Sequence, residues 1–302
     1  NQMYLELATL PPKSKIVFLQ IPNNNYTKDS FFQYFFVGKK SSFTKIPIVD
    51  FLEDANSLHY TTYSSSESKI YVGPYQIKEQ TFWFGTDRFG RDLLSRIIYG
   101  VRVSMAVGLI AVFISLIIGI TLGLIAGYFR GRTDDIIMWF VNVIWSIPTL
   151  LMVIAITLAL GKGFWQVFVA VGLTMWVEVA RIVRGQVIAI RELQYVEASK
   201  VLAYSPFRII TRHILPNVIG PVIVISAANF AAAILIEAGL SFLGIGAQPP
   251  IPSWGGIIKD HYSYIIMDKA YLAIIPGLAI MLLVLSFMTL GNRLRDAFDV
   301  RI

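Results

Sequence analysis

Apolar positions in this chain gather into long uncharged runs, and polar positions are confined to the stretches between them. Val103–Ala126 is 24 residues without a charge, and Ile136–Leu160 is 25. A helix rises about 1.5 Å per residue, so roughly 20 apolar residues cross a hydrocarbon core of about 30 Å. Phe164–Ala180, Val218–Ile236 and Ala270–Leu290 are three further runs of this kind. The pattern predicts five spanning helices. Pro148 lies in the second run, Pro221 in the fourth and Pro276 in the fifth, while Gly108, Gly119 and Gly123 punctuate the first, with Gly127 just beyond it. Small residues let helix backbones approach closely, and proline removes a helical hydrogen bond. Such runs predict a packed bundle with a functional interior rather than simple lipid anchors. Ser226 and Asn229 are three apart in the fourth run, share a helix face, and are the candidates for lining a pathway. Glu178 and Glu237 are placed near run ends, where snorkelling or pairing lowers the cost of a charge.

Residues 1–80 follow another pattern. They are rich in Tyr, Ser, Asn and Lys, with short apolar alternations such as Lys15–Ile16–Val17–Phe18–Leu19. Tyr63–Ser64–Ser65–Ser66 predicts a loop, and Tyr71–Val72–Gly73–Pro74–Tyr75 a strand meeting a turn. The expectation is a small water-exposed domain containing β-strands. Residues 81–102 form a glycine-punctuated lead-in in which Trp83 and its neighbouring phenylalanines suit a membrane–water boundary, and Leu93–Arg102 begins a helix near that interface. Residues 103–302 then make up the membrane domain.

Composition agrees with this division. Hydrophobic residues make up 55% of the 302 and charged residues 15%, against about 25% charged in an ordinary soluble domain. The absence of cysteine excludes a disulfide framework and a cysteine metal site. Net charge is +7, but the basic residues sit in short segments between apolar runs, which membrane topology explains better than nucleic-acid binding. Arg130 and Arg132 follow the first run. Arg181, Arg184, Arg191, Lys200, Arg208 and Arg212 lie between the third and fourth, and Arg293, Arg295 and Arg301 end the chain. With five spans these segments share a side, and the other side carries Lys162, Lys259 and Lys269. The positive-inside rule puts the basic side, with residues 181–216 and the C-terminus, in the cytoplasm. Residues 1–80 then face outside, and a sixth span before Asn1 is expected to bring the chain there.

The loop from Glu192 to Asn217 is the most informative segment. Gln194–Leu202 has helical composition, with apolar positions at Val196, Val201 and Leu202. Ser205–Pro206 stops that helix and starts another. Phe207, Ile210 and Ile214, spaced three and four apart, predict one apolar stripe on the second helix. Helix, turn and helix would project a rigid knob of the kind a soluble motor can grip.

These residues carry a resemblance. Glu197–Ala198–Ser199, then Ala203, then Ile214–Leu215–Pro216 resembles the EAA loop of ABC importer permeases. The family pattern is Glu-Ala-Ala, a glycine four residues later, and a subsequent Leu-Pro. Here Ser199 replaces the second alanine, Ala203 replaces the glycine, and His213 stands where many members have isoleucine. Alanine permits helix more readily than glycine, so the bend is expected at Ser205–Pro206. A second signature narrows the likeness. Phe84–Gly85–Thr86–Asp87–Arg88–Phe89–Gly90–Arg91–Asp92–Leu93–Leu94–Ser95–Arg96, Ser146–Ile147–Pro148, Leu240–Ser241–Phe242–Leu243–Gly244–Ile245–Gly246, Gln248–Pro249–Pro250 and Pro252–Ser253–Trp254–Gly255 resemble dipeptide/oligopeptide permeases of the DppC/OppC type. The resemblance covers residues 82–297 and not residues 1–80.

It implies an all-α polytopic membrane protein, a type I ABC importer permease bundle, in the bacterial inner or plasma membrane. By the same resemblance a second homologous permease shares the pathway, two ATP-binding subunits dock below, and an extracytoplasmic binding protein delivers peptide. Glu197, Ala198, Ser199, Ala203, Leu215 and Pro216 would couple the chain to its ATPase. The chain lacks Gly-x-x-x-x-Gly-Lys-Ser/Thr, so ATP and Mg2+ belong to the partners, and no cofactor or metal is expected here. Import of nickel or another small solute by the same class is the alternative. An ion-coupled secondary transporter is a different class, opposed by the lack of an internal repeat. For a membrane enzyme, His59, His213 and His261 are too widely separated to form an acid–base–nucleophile set.

Overall fold

A computed structural model describes residues 3–23, 42–54, 57–161, 163–248 and 251–298. Lys162, Pro249–Pro250 and Arg301, used in the sequence reading, lie outside the described residues. The chain divides into two compact units. One comprises Asn1–Arg96 with Ile266–Tyr271, the other Ile97–Ile265 with Leu272–Ile302.

The first unit is built on a five-stranded antiparallel sheet of β1 (Ser14–Pro22), β2 (Phe43–Asp54), β3 (Ser57–Thr62), β4 (Ser65–Tyr71) and β5 (Gln76–Phe82), in the order β4-β3-β2-β1-β5. Side chains alternate faces along a strand, so β1 contributes to two cores. Ile16 and Phe18 pack with Leu7 and Phe82 on one face, and Leu19 packs with Ile48, Leu58 and Tyr60 on the other. The reading of strands in this region is met. The loop expected at Tyr63–Ser66 is shorter, because Thr62 already pairs with Ser65 and only Tyr63 and Ser64 turn.

The segment after β5 closes this unit. Asp87 is fully buried and accepts from the backbone N–H groups of Phe89 (2.8 Å) and Arg91 (2.9 Å) and from Arg91 Nε (2.6 Å). Arg96 adds a second cation at 3.4 Å. Thr86 Oγ1 donates to Leu7 O and accepts from Leu10 N. Gly90 has φ +69, and a Cβ there would stand 1.7 Å from Tyr4 O, so no larger residue fits. The Gly-Thr-Asp-Arg-Phe-Gly-Arg-Asp signature thus pins the N-terminal segment. Its last member, Asp92, accepts from Ser95 N (3.1 Å) and so caps the following helix.

That helix, α1 (Leu93–Phe129), runs 37 residues without a break. The second unit continues with α2 (Gly131–Trp145), α3 (Thr149–Leu160), α4 (Phe164–Arg191), α5 (Gln194–Val201), α6 (Pro206–Ile209), α7 (Leu215–Phe242), α8 (Trp254–His261) and α9 (Tyr271–Phe298). Four helical stretches are long and apolar enough to cross a membrane, including a continuous Pro206–Phe242, and α2 with α3 makes a fifth if the bent pair is one span. The run Ile136–Leu160 read as the second span is bent rather than straight: α2 and α3 meet at 89°. Pro148 lacks an N–H and restricts Ile147 before it, so the helix stops at Ser146 and restarts at Thr149 despite the uncharged sequence. The helix of the third run continues past Ala180 to Arg191, so Glu178 lies at the middle of α4 while it stays near the end of the apolar run.

A stripe of glycines brings α1 against α4. A Cβ at Gly119 would lie 2.5 Å from Val179, one at Gly123 2.7 Å from Val183, and one at Gly127 2.7 Å from Val187. Both series step by four, so two i±4 ridges interdigitate at backbone distance. Asp134 of α2 forms a bidentate pair with Arg184 of α4, at 2.5 and 2.6 Å. Beyond α7, Ser241 Oγ donates to Glu237 Oε1 (2.6 Å) and accepts from Ala247 N, Ser253 caps α8, and Trp254 Nε1 donates to Ile97 O (2.9 Å). The Leu-Ser-Phe-Leu-Gly and Pro-Ser-Trp-Gly signatures are thus a packed, hydrogen-bonded turn. Glu237 is buried inside α7 rather than snorkelling.

Candidate functional site

The segment 192–217 folds into the expected knob. Val196 of α5 is fully buried and joins Val183, Val187, Ile190, Ile209, Ile214 and Val218 in one cluster that extends from the knob into α4 and α7. Full burial of such a side chain stabilises by about 1.5–3 kcal/mol. Ser199 is buried beside it and donates to Tyr195 O at 2.8 Å. Polar contacts brace the two halves: Asn217 Nδ2 donates to Tyr195 Oη (3.2 Å) and His213 O (2.7 Å), Tyr204 stacks on His213, and Arg208 covers the Tyr204 ring at 4.1 Å.

The opposite face is bare. Glu197 and Ala198 are exposed, and Glu197 enters no ion pair among the described residues. Val201 is 85% exposed, Phe207 77%, and Leu193 and Leu202 are also uncovered. Leu215 is partly buried against the knob's core, and Pro216 is exposed in the first turn of α7.

Two expectations about this loop are corrected. The bend falls at Ala203, not at Ser205–Pro206. Ala203 has φ +55, its N–H reaches Lys200 O and that of Tyr204 reaches Ser199 O. That is the pair of bonds that ends a helix through a left-handed residue, so alanine takes the conformation for which glycine is the usual residue. Ser205 and Pro206 begin the next helix, with Ser205 Oγ accepting from Arg208 N. The single stripe of Phe207, Ile210 and Ile214 also fails. Ile210–Ile214 form a π-helical turn, whose wider spacing buries Ile209 and Ile214, five apart, and leaves Phe207 outside.

A second feature is a cavity of about 180 Å³ at the α2–α3 break. Trp145, Ile147, Thr149 and Met152 line it from the break, Thr174 and Glu178 from α4, and Asn229 from α7. Asn229 is 2% exposed, and its Nδ2 has no hydrogen-bond partner among the described residues. Ser226 is not among the lining residues; it donates to Val222 O of its own helix at 2.6 Å. The sequence reading did not select Glu178 or Thr149 for this site. The signal was an acidic residue within an apolar run facing the Ser-Ile-Pro break. Among the described residues no group of three His, Cys, Asp or Glu gathers as a metal site.

A family described as binding-protein-dependent transport system inner membrane component matches residues 119–302. The dipeptide transport system permease protein DppC of Bacillus subtilis (strain 168) is 42% identical over 220 residues, 73% of this chain and 69% of that protein. The glutathione transport system permease protein GsiD of Pectobacterium atrosepticum is 40% identical over 220 residues, 73% of each. Among solved structures, an inward-facing MetNI methionine ABC transporter superposes with a TM-score of 0.56 at 18% identity, covering 68% of this chain and 97% of that one, which shows the fold alone.

Proposed function

The chain belongs to the family of binding-protein-dependent transport system inner membrane components, and from that premise we propose that it is the permease subunit of an ATP-driven oligopeptide importer. With a second, homologous permease it forms the membrane pathway. Two ATP-binding subunits supply ATP and Mg2+, and an extracytoplasmic binding protein delivers the peptide. Residues 181–216 and the C-terminus face the cytoplasm, and residues 1–80 lie outside. The names of the similar proteins, which include dipeptide, oligopeptide and glutathione permeases, support peptide as cargo.

One observation carries the mechanism: the knob is locked inward and open outward. Its inner face shares a core with α4 and α7, so a push on it moves the spans rather than bending a loop. Its outer face offers the apolar side chains of Val201, Leu202 and Phe207 to a groove, with the Glu197 carboxylate at the edge. A carboxylate accepts charge-assisted hydrogen bonds from such a groove. Closure of the ATPase pair is then transmitted through α6, the π-helical turn and Leu215–Pro216 into α7. Glu197→Arg is expected to abolish co-purification of the ATPase and to reduce peptide uptake by an order of magnitude or more, while membrane insertion and receptor binding persist. Normal ATPase association and uptake in that variant reject the coupling role.

A further inference from the structure

The cavity at the α2–α3 break has the makings of a cargo contact. Glu178 stands at the middle of α4 within a stretch long and apolar enough to cross a membrane. An ionisable group within a span, even close to its cytoplasmic end, is expensive unless it faces a partner or a water-filled path. Glu178 has no ion pair among the described residues. Arg181, the next basic residue along the helix, donates to Asn142 Oδ1 and lies 3.9 Å above the ring of Trp145 in the cavity wall, and it forms no ion pair with Glu178 among the described residues. An independent group points to a ligand in the same place. Asn229, almost wholly buried on α7, keeps an unpartnered Nδ2 donor in the wall of this cavity, and a buried donor left without an acceptor is costly.

We propose that this cavity is a transit subsite for the amino-terminal end of the transported peptide. Glu178 receives the ammonium group, and the Asn229 amide donates to the neighbouring peptide carbonyl. Both groups recognise what every peptide has, so the subsite is indifferent to side chains. The space holds several waters and so one amine-bearing residue, which suits passage rather than storage. The assignment rests on the reading of this chain as a peptide permease.

The test uses the complete transporter in proteoliposomes, with Thr149→Cys introduced into this cysteine-free chain and cysteine-free partners. The cysteine is expected to react faster with a cationic than with an anionic methanethiosulfonate. Adding Glu178→Gln should lower that ratio about tenfold. In the chain without the cysteine, Glu178→Gln should slow trialanine uptake several-fold with subunit assembly and receptor-stimulated ATPase retained, and Glu178→Asp should restore most of it. An unchanged ratio with unchanged uptake overturns the subsite. Loss of the second permease from the Glu178→Gln complex also overturns it, because Glu178 would then be an interface partner. If the unmutated transporter moves no peptide, the peptide reading itself has failed; if it does and Glu178→Gln matches it, only the subsite has.

Discussion

Ala203 shows how a single residue records a compromise. Its left-handed backbone costs an alanine roughly 1–2 kcal/mol, and glycine removes that cost while adding entropy to the unfolded chain. Ala203 is exposed, so no contact is lost. Ala203→Gly is therefore expected to stabilise by about 0.5–1 kcal/mol, read as a higher melting temperature of the purified protein in detergent. Ala203→Val should do the opposite, because a β-branched residue is a true outlier at positive φ. Equal melting temperatures for all three would mean that this turn does not limit stability. Asp87 offers the contrast. Its carboxylate satisfies two backbone donors and two arginines, and the sequence marks it only by motif, since nothing local announces so many partners.

At the scale of elements, the contact of α1 with α4 decides the bundle. The glycines at 119, 123 and 127 were legible as small residues in a span; that they face Val179, Val183 and Val187 was not, because the partner of a helix face is a long-range fact. A larger side chain at the middle of the stripe has nowhere to go. A Cβ at Gly123 already meets the backbone oxygen of Ala180 at 2.7 Å, and a backbone atom cannot rotate aside. Gly123→Leu is expected to separate the helices and to cost more than the 1–3 kcal/mol typical of overpacking. The check is the yield of monodisperse protein in size-exclusion chromatography, with Gly131→Leu as a control, since Gly131 has open space around it but a positive φ that adds its own smaller strain. A normal yield for Gly123→Leu would mean that the α1–α4 packing is not needed for folding.

At the scale of the whole molecule, the chain passes repeatedly through the membrane, and its topology can be tested directly. Ser199, a natural first choice for a reporter in the loop, is buried, whereas its neighbour Ala198 is exposed. Cysteines at Ser64, exposed in the β3–β4 turn, and at Ala198 are therefore the better pair. An impermeant thiol reagent applied to intact cells is expected to label Ser64→Cys and to spare Ala198→Cys until the membrane is opened. Equal labelling of both in intact cells would put the knob outside and reject the proposed orientation.

Much of this was available from the linear pattern. Uncharged runs, prolines and glycines, the alternation of residues 15–19 and the Glu-Ala-Ser loop specify spans, breaks, strands and a knob, because hydrophobic burial and backbone sterics act on neighbours in sequence. The sequence also decided that the knob would be two helices, through Ser205 and Pro206. Tertiary structure alone decided the rest. It turned the Ile136–Leu160 run through 89°, aimed Asn229 into a cavity while Ser226 bonded back to its own helix, and left Glu178 facing the break while the neighbouring Arg181 stacks on Trp145. Which polar group in a span is spent on packing and which is kept for a ligand depends on the atoms opposite it, and those come from helices far away in the chain.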